Sequence, residues 1–567
     1  MIPLYLVPLV TAAGAIAVTL LPSRKERLIH QLAVVTSALF LLLSIAQVVQ
    51  WQMGVSGTFR EPIFNWGHYS FEFTLGMDRV AAVFLIMTAF LGGLVVKFSQ
   101  YYMHREPGQK RFFATLLMFM CGMSVVELAG DITTLFMGWE LVGIASFLLI
   151  GFYRHRESPV RNALKVYSIY RLCDVGLLIA AYVEHQTFGT ANFQEQASQV
   201  GDPRAALPIA LLLLLSAAGK SGQFPFSFWV ARAMEGPTPS SAIFYGALSI
   251  HAGVFLLLRT MPIWFVSDTA RVCIALVGIV TAVSTTIIGH VQSNIKGRIG
   301  YASVAQVGLM FVGLALGLDN WVLVHFVGNA SLRCYQLLVS PSVIAYVLRL
   351  QSSASESSRP GADWTLESRL FPRLQATVYV CATQEFYMER IVNLIVFSIP
   401  QWLARHVFAE NTTILNVWTR SLALGVGLVL AVSLGVNSLH PSLPFLVSIV
   451  LSYLVGLAGI FVLPRAVRNQ SLDHMGGVAA HHSLSARLVF LSFLGMSGFP
   501  ITPAFFGADL LMAECMKVGF PLALFFSGAF LLNGIILART FTRLYLGPTV
   551  ENFWPTATED VEGNAGG

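Results

Sequence analysis

Charge is what this chain has least of. Asp, Glu, Lys and Arg make up only 11% of its 567 residues, against 55% hydrophobic residues, and the mean hydropathy is +0.69. A soluble protein of this length needs more polar surface than that, so the water-soluble globular classes are excluded. Cysteine is sparse and unpatterned. Cys121, Cys173, Cys273, Cys334, Cys381 and Cys515 stand singly with no C-x-x-C, which leaves them as small core residues and implies neither a disulfide framework nor a thiolate metal site. No P-loop, dinucleotide fingerprint or haem motif occurs, so nucleotide and redox chemistry are not expected in this polypeptide, and no cofactor is expected. The net charge of +6 does not point to nucleic acid, because the cations lie in short loops between apolar runs and form no continuous face.

In place of charge there is a succession of apolar runs about as long as a bilayer-crossing helix, without the alternation of a membrane barrel. A membrane span must satisfy its own backbone hydrogen bonds. The expected fold is therefore all-α, a polytopic membrane helix bundle with about 14–16 spans. The runs include 2–21, 321–348, 386–407, 486–504 and 518–541. Basic loops at 22–28, 100–111 and 153–165 alternate with mixed or acidic ones, which places the basic loops in the cytoplasm and the N-terminus outside. No basic region precedes the first run, so that run reads as a permanent span and not as a cleaved signal. The chain divides into N-terminal spans (1–110), a first group of helices (111–260) and a second group with the C-terminal spans (261–349 and 386–546). A polar, Ser-rich linker (350–385) and a polar tail (547–567) complete it.

Glu140 lies in MGWELVGIASFLLIGF (137–152) and Lys220 in an equally apolar run, 207–226. A charge at mid-span costs roughly 3 kcal/mol even on the lenient insertion scale, so such groups face the bundle interior, pair or titrate. Two runs end in a similar break. The first is Lys220-Ser-Gly-Gln-Phe-Pro225, with Pro237 and Pro239 further on, and the second is Gly495-Met-Ser-Gly-Phe-Pro500 with Pro503. Paired interruptions of this kind mark duplicated transporters with discontinuous helices. His325, Asn329 and Arg333 stand at i, i+4 and i+8 and share one helix face, a polar stripe that suits water or a proton relay. His251 and Tyr245 are mid-span, where packing with one hydrogen bond is an equal alternative. Arg171 and Asp174 stand at i, i+3 and read as a structural ion pair. Glu127 and Asp131 read as a solvated helix end, and His474, His481 and His482 as a loop cluster unsuited to metal.

GWELVG (138–143), ALKVYSIYRLCDVG (163–176), MEGPTP (234–239) and the lysine before the first break together resemble the proton-translocating antiporter-like family. That family contains the large membrane-arm subunits of respiratory complex I and of multi-subunit sodium/proton antiporters. The resemblance implies two inverted five-helix repeats, each with a broken helix, around a central file of buried charges. It implies that Glu140 is the essential glutamate, Lys220 its partner lysine, Lys296 the lysine opening the next membrane-embedded step and His325 a relay histidine. Asn329 stands where common members have lysine. Asp509, in Phe505-Phe506-Gly507-Ala508-Asp509, is retained where the family's preceding lysine is missing. Within the family, GPTPSSAIFYGALSIHAGVFLLLR (236–259) and GMSGFPITPAFFGADLL (495–511) resemble the DabB-type subunits of bacterial dissolved-inorganic-carbon uptake complexes, a branch for which no lateral helix past the last span is expected. This likeness implies a large DabA-like, zinc-containing partner in a bacterial inner membrane, with the present chain, not itself an enzyme, supplying the gradient coupling.

Overall fold

The computed structural model describes residues 2–55, 57–66, 69–188, 192–193, 202–353, 372–398, 413–436, 440–472, 475–500 and 502–548. Among these, 13 helices are long and apolar enough to cross a membrane, and two shorter apolar helices, Leu6–Leu20 and Ser483–Met496, accompany them. The chain is an all-α polytopic membrane bundle. Several spans begin where a polar side chain satisfies the first free amides: Asp78 accepts from Ala81 N at 2.7 Å, Asp131 from Thr134 N at 2.6 Å and Asn294 from Gly297 N at 2.7 Å.

The structure departs from the sequence reading in several places. Residues 50–79 are not merely a loop: strands Phe59–Trp66 and Tyr69–Leu75 form an antiparallel hairpin. The period-2 pattern of Tyr69, Phe71, Phe73 and Leu75 against Ser70, Glu72 and Thr74 accounts for it. The run 486–504 is interrupted after Met496, and Pro503–Val518 is a helix of its own. The run 321–348 is part of one long helix, Asp319–Ser353. Pro372–Thr383, inside the supposed linker, is helical, and short helical turns continue to Phe397. The rest of that linker from 354 to 371, residues 399–407 of the 386–407 run, His474 and the tail from 549 lie outside the described residues.

Helix Glu157–Phe188 joins the two parts of the molecule. It packs on Ile132–Ile150 and Pro203–Lys220 and also carries Pro503–Val518 and Phe520–Tyr545. The helices between 268 and 353 attach elsewhere, to Pro203–Lys220, Trp229–Ala233 and the 238–259 segment. That segment is the most buried span and is irregular, passing from α-helix to a π-turn (Ala242–Ala247) and a 3-10 turn (Ser249–His251) before resuming as α-helix.

The two breaks share one backbone design. The first helix ends at Lys220 and the second at Met496, each followed by serine and then by glycine in the left-handed region, Gly222 at φ +59° and Gly498 at φ +62°. Gln223 N donates to Ala218 O at 2.8 Å and Gly222 N to Gly219 O at 3.5 Å. Phe499 N donates to Leu494 O at 2.9 Å and Gly498 N to Gly495 O at 3.1 Å. These are matching Schellman terminations. Superposed by role, Met496 occupies the place of Lys220, so the second helix supplies no cation of its own at its break.

Candidate functional site: a buried polar line

Glu140, Arg171, Asp174 and Lys220 come together where Ile132–Ile150, Glu157–Phe188 and the end of Pro203–Lys220 meet. All four are buried. Arg171 does not neutralise Asp174 as the spacing suggested. Its guanidinium reaches across to the neighbouring helix, where Nη1 bridges Glu140 Oε1 at 2.6 Å, and Nη2 donates to Ser497 O at 3.0 Å in the second break. Asp174 turns instead to Trp139, accepting from Nε1 at 2.5 Å. Lys220 is not bonded directly to Glu140. Its Nζ donates to Trp139 O at 3.0 Å and sits 4.5 Å from the Tyr170 ring centre and 4.9 Å from that of Trp139. The ammonium is thus held by one carbonyl and two π-faces.

Beyond Lys220 the line continues through the irregular segment. Tyr245 and Ser249 stand beside Tyr170, and all three are buried. Ser249 shares its 3-10 turn with His251. His251 Nδ1–H donates to Ala247 O at 2.5 Å, which leaves Nε2 as acceptor for Asn329 Nδ2 at 3.0 Å. Arg333 Nε donates to Asn329 Oδ1 at 3.3 Å, and His325 Nε2 meets Gln306 Oε1 at 2.8 Å. The polar stripe of Asp319–Ser353 therefore faces His251 and Gln306.

Lys296 does not lie in this line. It is the second residue of its helix, half-buried, and donates to Gly236 O at 3.3 Å. Glu127 and Asp131 are not solvated: Glu127 is fully buried against the Thr88 hydroxyl, and Asp131 is bonded by Thr74, Thr133 and Thr134.

Asp509 lies at the Glu140 end. Glu140, Arg171, Asp174 and Asp509, with Phe505 and Phe530, line one cavity of about 30 Å³, room for roughly two waters. The Tyr182 hydroxyl donates to the Asp509 carboxylate and also lies 2.9 Å from its carbonyl oxygen. Sequence reasoning missed Tyr182, although Asp174, Leu178 and Tyr182 share a helix face and the first two line the cavity. It also missed Gln306, for which a lone glutamine gave no signal. Among the described residues, no group of three or more His, Cys, Asp or Glu is placed to hold a metal ion.

Residues 129–348 match the family described as NADH:quinone oxidoreductase/Mrp antiporter, TM, and residues 64–113 the one described as NADH-Ubiquinone oxidoreductase (complex I), chain 5 N-terminus. The NADH-quinone oxidoreductase subunit L of Escherichia coli K12 is 34% identical over 297 residues, covering 51% of this chain and 48% of the relative. The probable inorganic carbon transporter subunit DabB1 of Halothiobacillus neapolitanus is 30% identical over 353 residues, covering 60% of this chain and 61% of the relative. The chain spans about half the length of the subunit L relatives it matches. In fold it resembles a chain of the Mrp complex from Dietzia sp. DQ12-45-1b, with TM-score 0.54 at 19% identity, covering 95% of this chain and 56% of that one.

Proposed function

Since this chain belongs to the family of antiporter-like membrane subunits, we propose that it conducts protons along the buried line from Asp509 and Glu140 through Lys220 to His251, Asn329 and His325. The observation that carries this reading is the arrangement around Lys220: an ammonium at a helix break, between a carboxylate–guanidinium cluster on one side and a run of hydroxyls and a histidine on the other. Proton transfer needs groups that exchange protons directly or through water. A sodium site needs several converging oxygens, and the Arg171 guanidinium in the Glu140 cavity opposes a second cation there. Arg333 and Lys296 stand at the margins of the line, the first steadying Asn329 and the second anchoring a helix end.

We further propose that this conduction energises uptake of bicarbonate or CO₂ by a DabA-like, zinc-containing partner in a bacterial inner membrane, with the N-terminus periplasmic and the chain seated in lipid as part of a hetero-complex. What favours this over a complex I-like pumping subunit is that the match to DabB1 reaches further along both chains than the matches to subunit L. Affinity purification from native membranes separates the two. A large zinc protein in the eluate supports carbon uptake, and quinone-reductase or antiporter subunits refute it. Cells carrying Glu140→Gln should lose uptake of labelled inorganic carbon while the complex still assembles. Retained uptake sinks the conduction assignment.

A further inference from the structure

Residues 372–398 form a strap across the helix ends next to the first break. At its centre Glu385, Phe386 and Tyr387 are three consecutive non-glycine residues in the left-handed region, at φ 51°, 52° and 56°. L-residues adopt that region at an energetic cost, so such a run persists where surrounding contacts over-determine it. The contacts are specific. Arg232 Nη1 bridges Glu385 Oε2 at 2.8 Å and Arg232 Nη2 bridges Glu389 Oε2 at 2.7 Å. The Tyr301 hydroxyl donates to Glu385 Oε1 at 2.8 Å, and Lys165 bridges Glu389. Met388, buried beside them, has its sulfur 3.4 Å from the Ser227 hydroxyl in the broken segment. The left-handed turn thus aims two carboxylates at three separate elements: the helix after the break, Glu157–Phe188 and Ile295–Ala315.

From Arg232 a short set of contacts leads to Lys220. Arg232 belongs to Trp229–Ala233, the helical turn after the break. Trp229 Nε1 donates to Gly219 O at 3.0 Å, one residue before Lys220. The Trp229 ring meets that of Tyr170 edge-on at 5.2 Å, and Tyr170 is one of the rings beneath the Lys220 ammonium. We infer that Glu385 and Glu389 are positioning residues: they clasp Arg232, fix the turn after the break, and so hold Trp229 and Tyr170 where they seat Lys220. Burial lowers the affinity of the Arg232 guanidinium for its proton, yet the two carboxylates raise it above the ordinary arginine value overall, as a close clasp requires. The inference rests on the conduction proposed above and adds a place from which it is controlled.

The test is proton flux into vesicles reconstituted with the purified complex, followed against pH, for wild type, Glu385→Gln with Glu389→Gln, Glu385→Asp with Glu389→Asp, and Glu140→Gln. The double amide variant is expected to lose flux about tenfold and to shift the pH midpoint of what remains, while its quantity and melting temperature stay close to wild type. The double aspartate variant is expected to recover most of the flux. Wild-type flux and midpoint in the double amide variant overturn the inference. So does a flux loss that only tracks lost folded protein with an unmoved midpoint. Wild-type flux in Glu140→Gln overturns the conduction reading itself, which keeps the two failures apart.

Discussion

At the scale of single residues, the direct partner of Glu140 is Arg171 and not Lys220, and this changes what substitution should do. Removing one member of a buried pair leaves an uncompensated charge and typically costs about 3–5 kcal/mol. Glu140→Gln should therefore lower stability as well as stop conduction, although Ser497 O continues to accept from Arg171 and moderates the loss. Adding Arg171→Met should restore most of that stability. Adding Lys220→Met to Glu140→Gln should restore no stability, because Lys220 is held by Trp139 O and two rings. Thermal midpoints of the purified variants decide. A double Glu140–Lys220 variant more stable than Glu140→Gln alone would show that the two are paired after all. The sequence singled out Glu140 and Lys220 because a lone charge in an apolar run is conspicuous. It could not identify Arg171 as partner, since spacing within a helix reports neighbours on that helix and not which side chain reaches across to the next one.

Among the elements, the two broken helices carry the clearest expectation. Glycine, proline and phenylalanine cluster at both helix ends, and those residues act through local backbone conformation. A methyl group on Gly222 would meet Val230 Cγ2 at 2.7 Å and one on Gly498 would meet Phe530 Cζ at 2.1 Å, each at positive φ. Either alanine substitution should cost at least about 1–2 kcal/mol from the backbone alone, seen as a lower melting temperature. Gly222→Ala should also reduce proton flux in what remains folded, because the turn it distorts ends at Lys220. Equal melting temperatures for Gly498→Ala and wild type would refute the Schellman reading of the second break. The helix Pro503–Val518 escaped the sequence reading for the opposite reason. Its buried Asp509 and its glycine and charged residues dilute the hydropathy that marks a span, and its docking onto Glu157–Phe188 is tertiary information.

Across the whole molecule, the C-terminal helices brace the Glu140 end of the line, and the 268–353 helices carry the histidine end. If the chain energises inorganic-carbon uptake as proposed and its current is protonic, a protonophore should stop that uptake in cells, and replacing external sodium by potassium should leave it unchanged. Uptake that survives the protonophore and requires sodium would make Asp509 a sodium ligand. The β-hairpin near the N-terminus adds a constraint of another kind, on the order of events during synthesis. Phe64 and Phe71 pack on Phe506, and Trp66 Nε1 donates to His440 O, a contact 374 residues away along the chain. At about 5–20 residues per second that separation takes roughly 20–75 s to translate. Through all of that interval Phe64, Trp66 and Phe71 lack these C-terminal partners, so a nascent chain stalled before residue 440 should present them to chaperones or to the lipid surface, and the arrival of the C-terminal helices is the step that withdraws them.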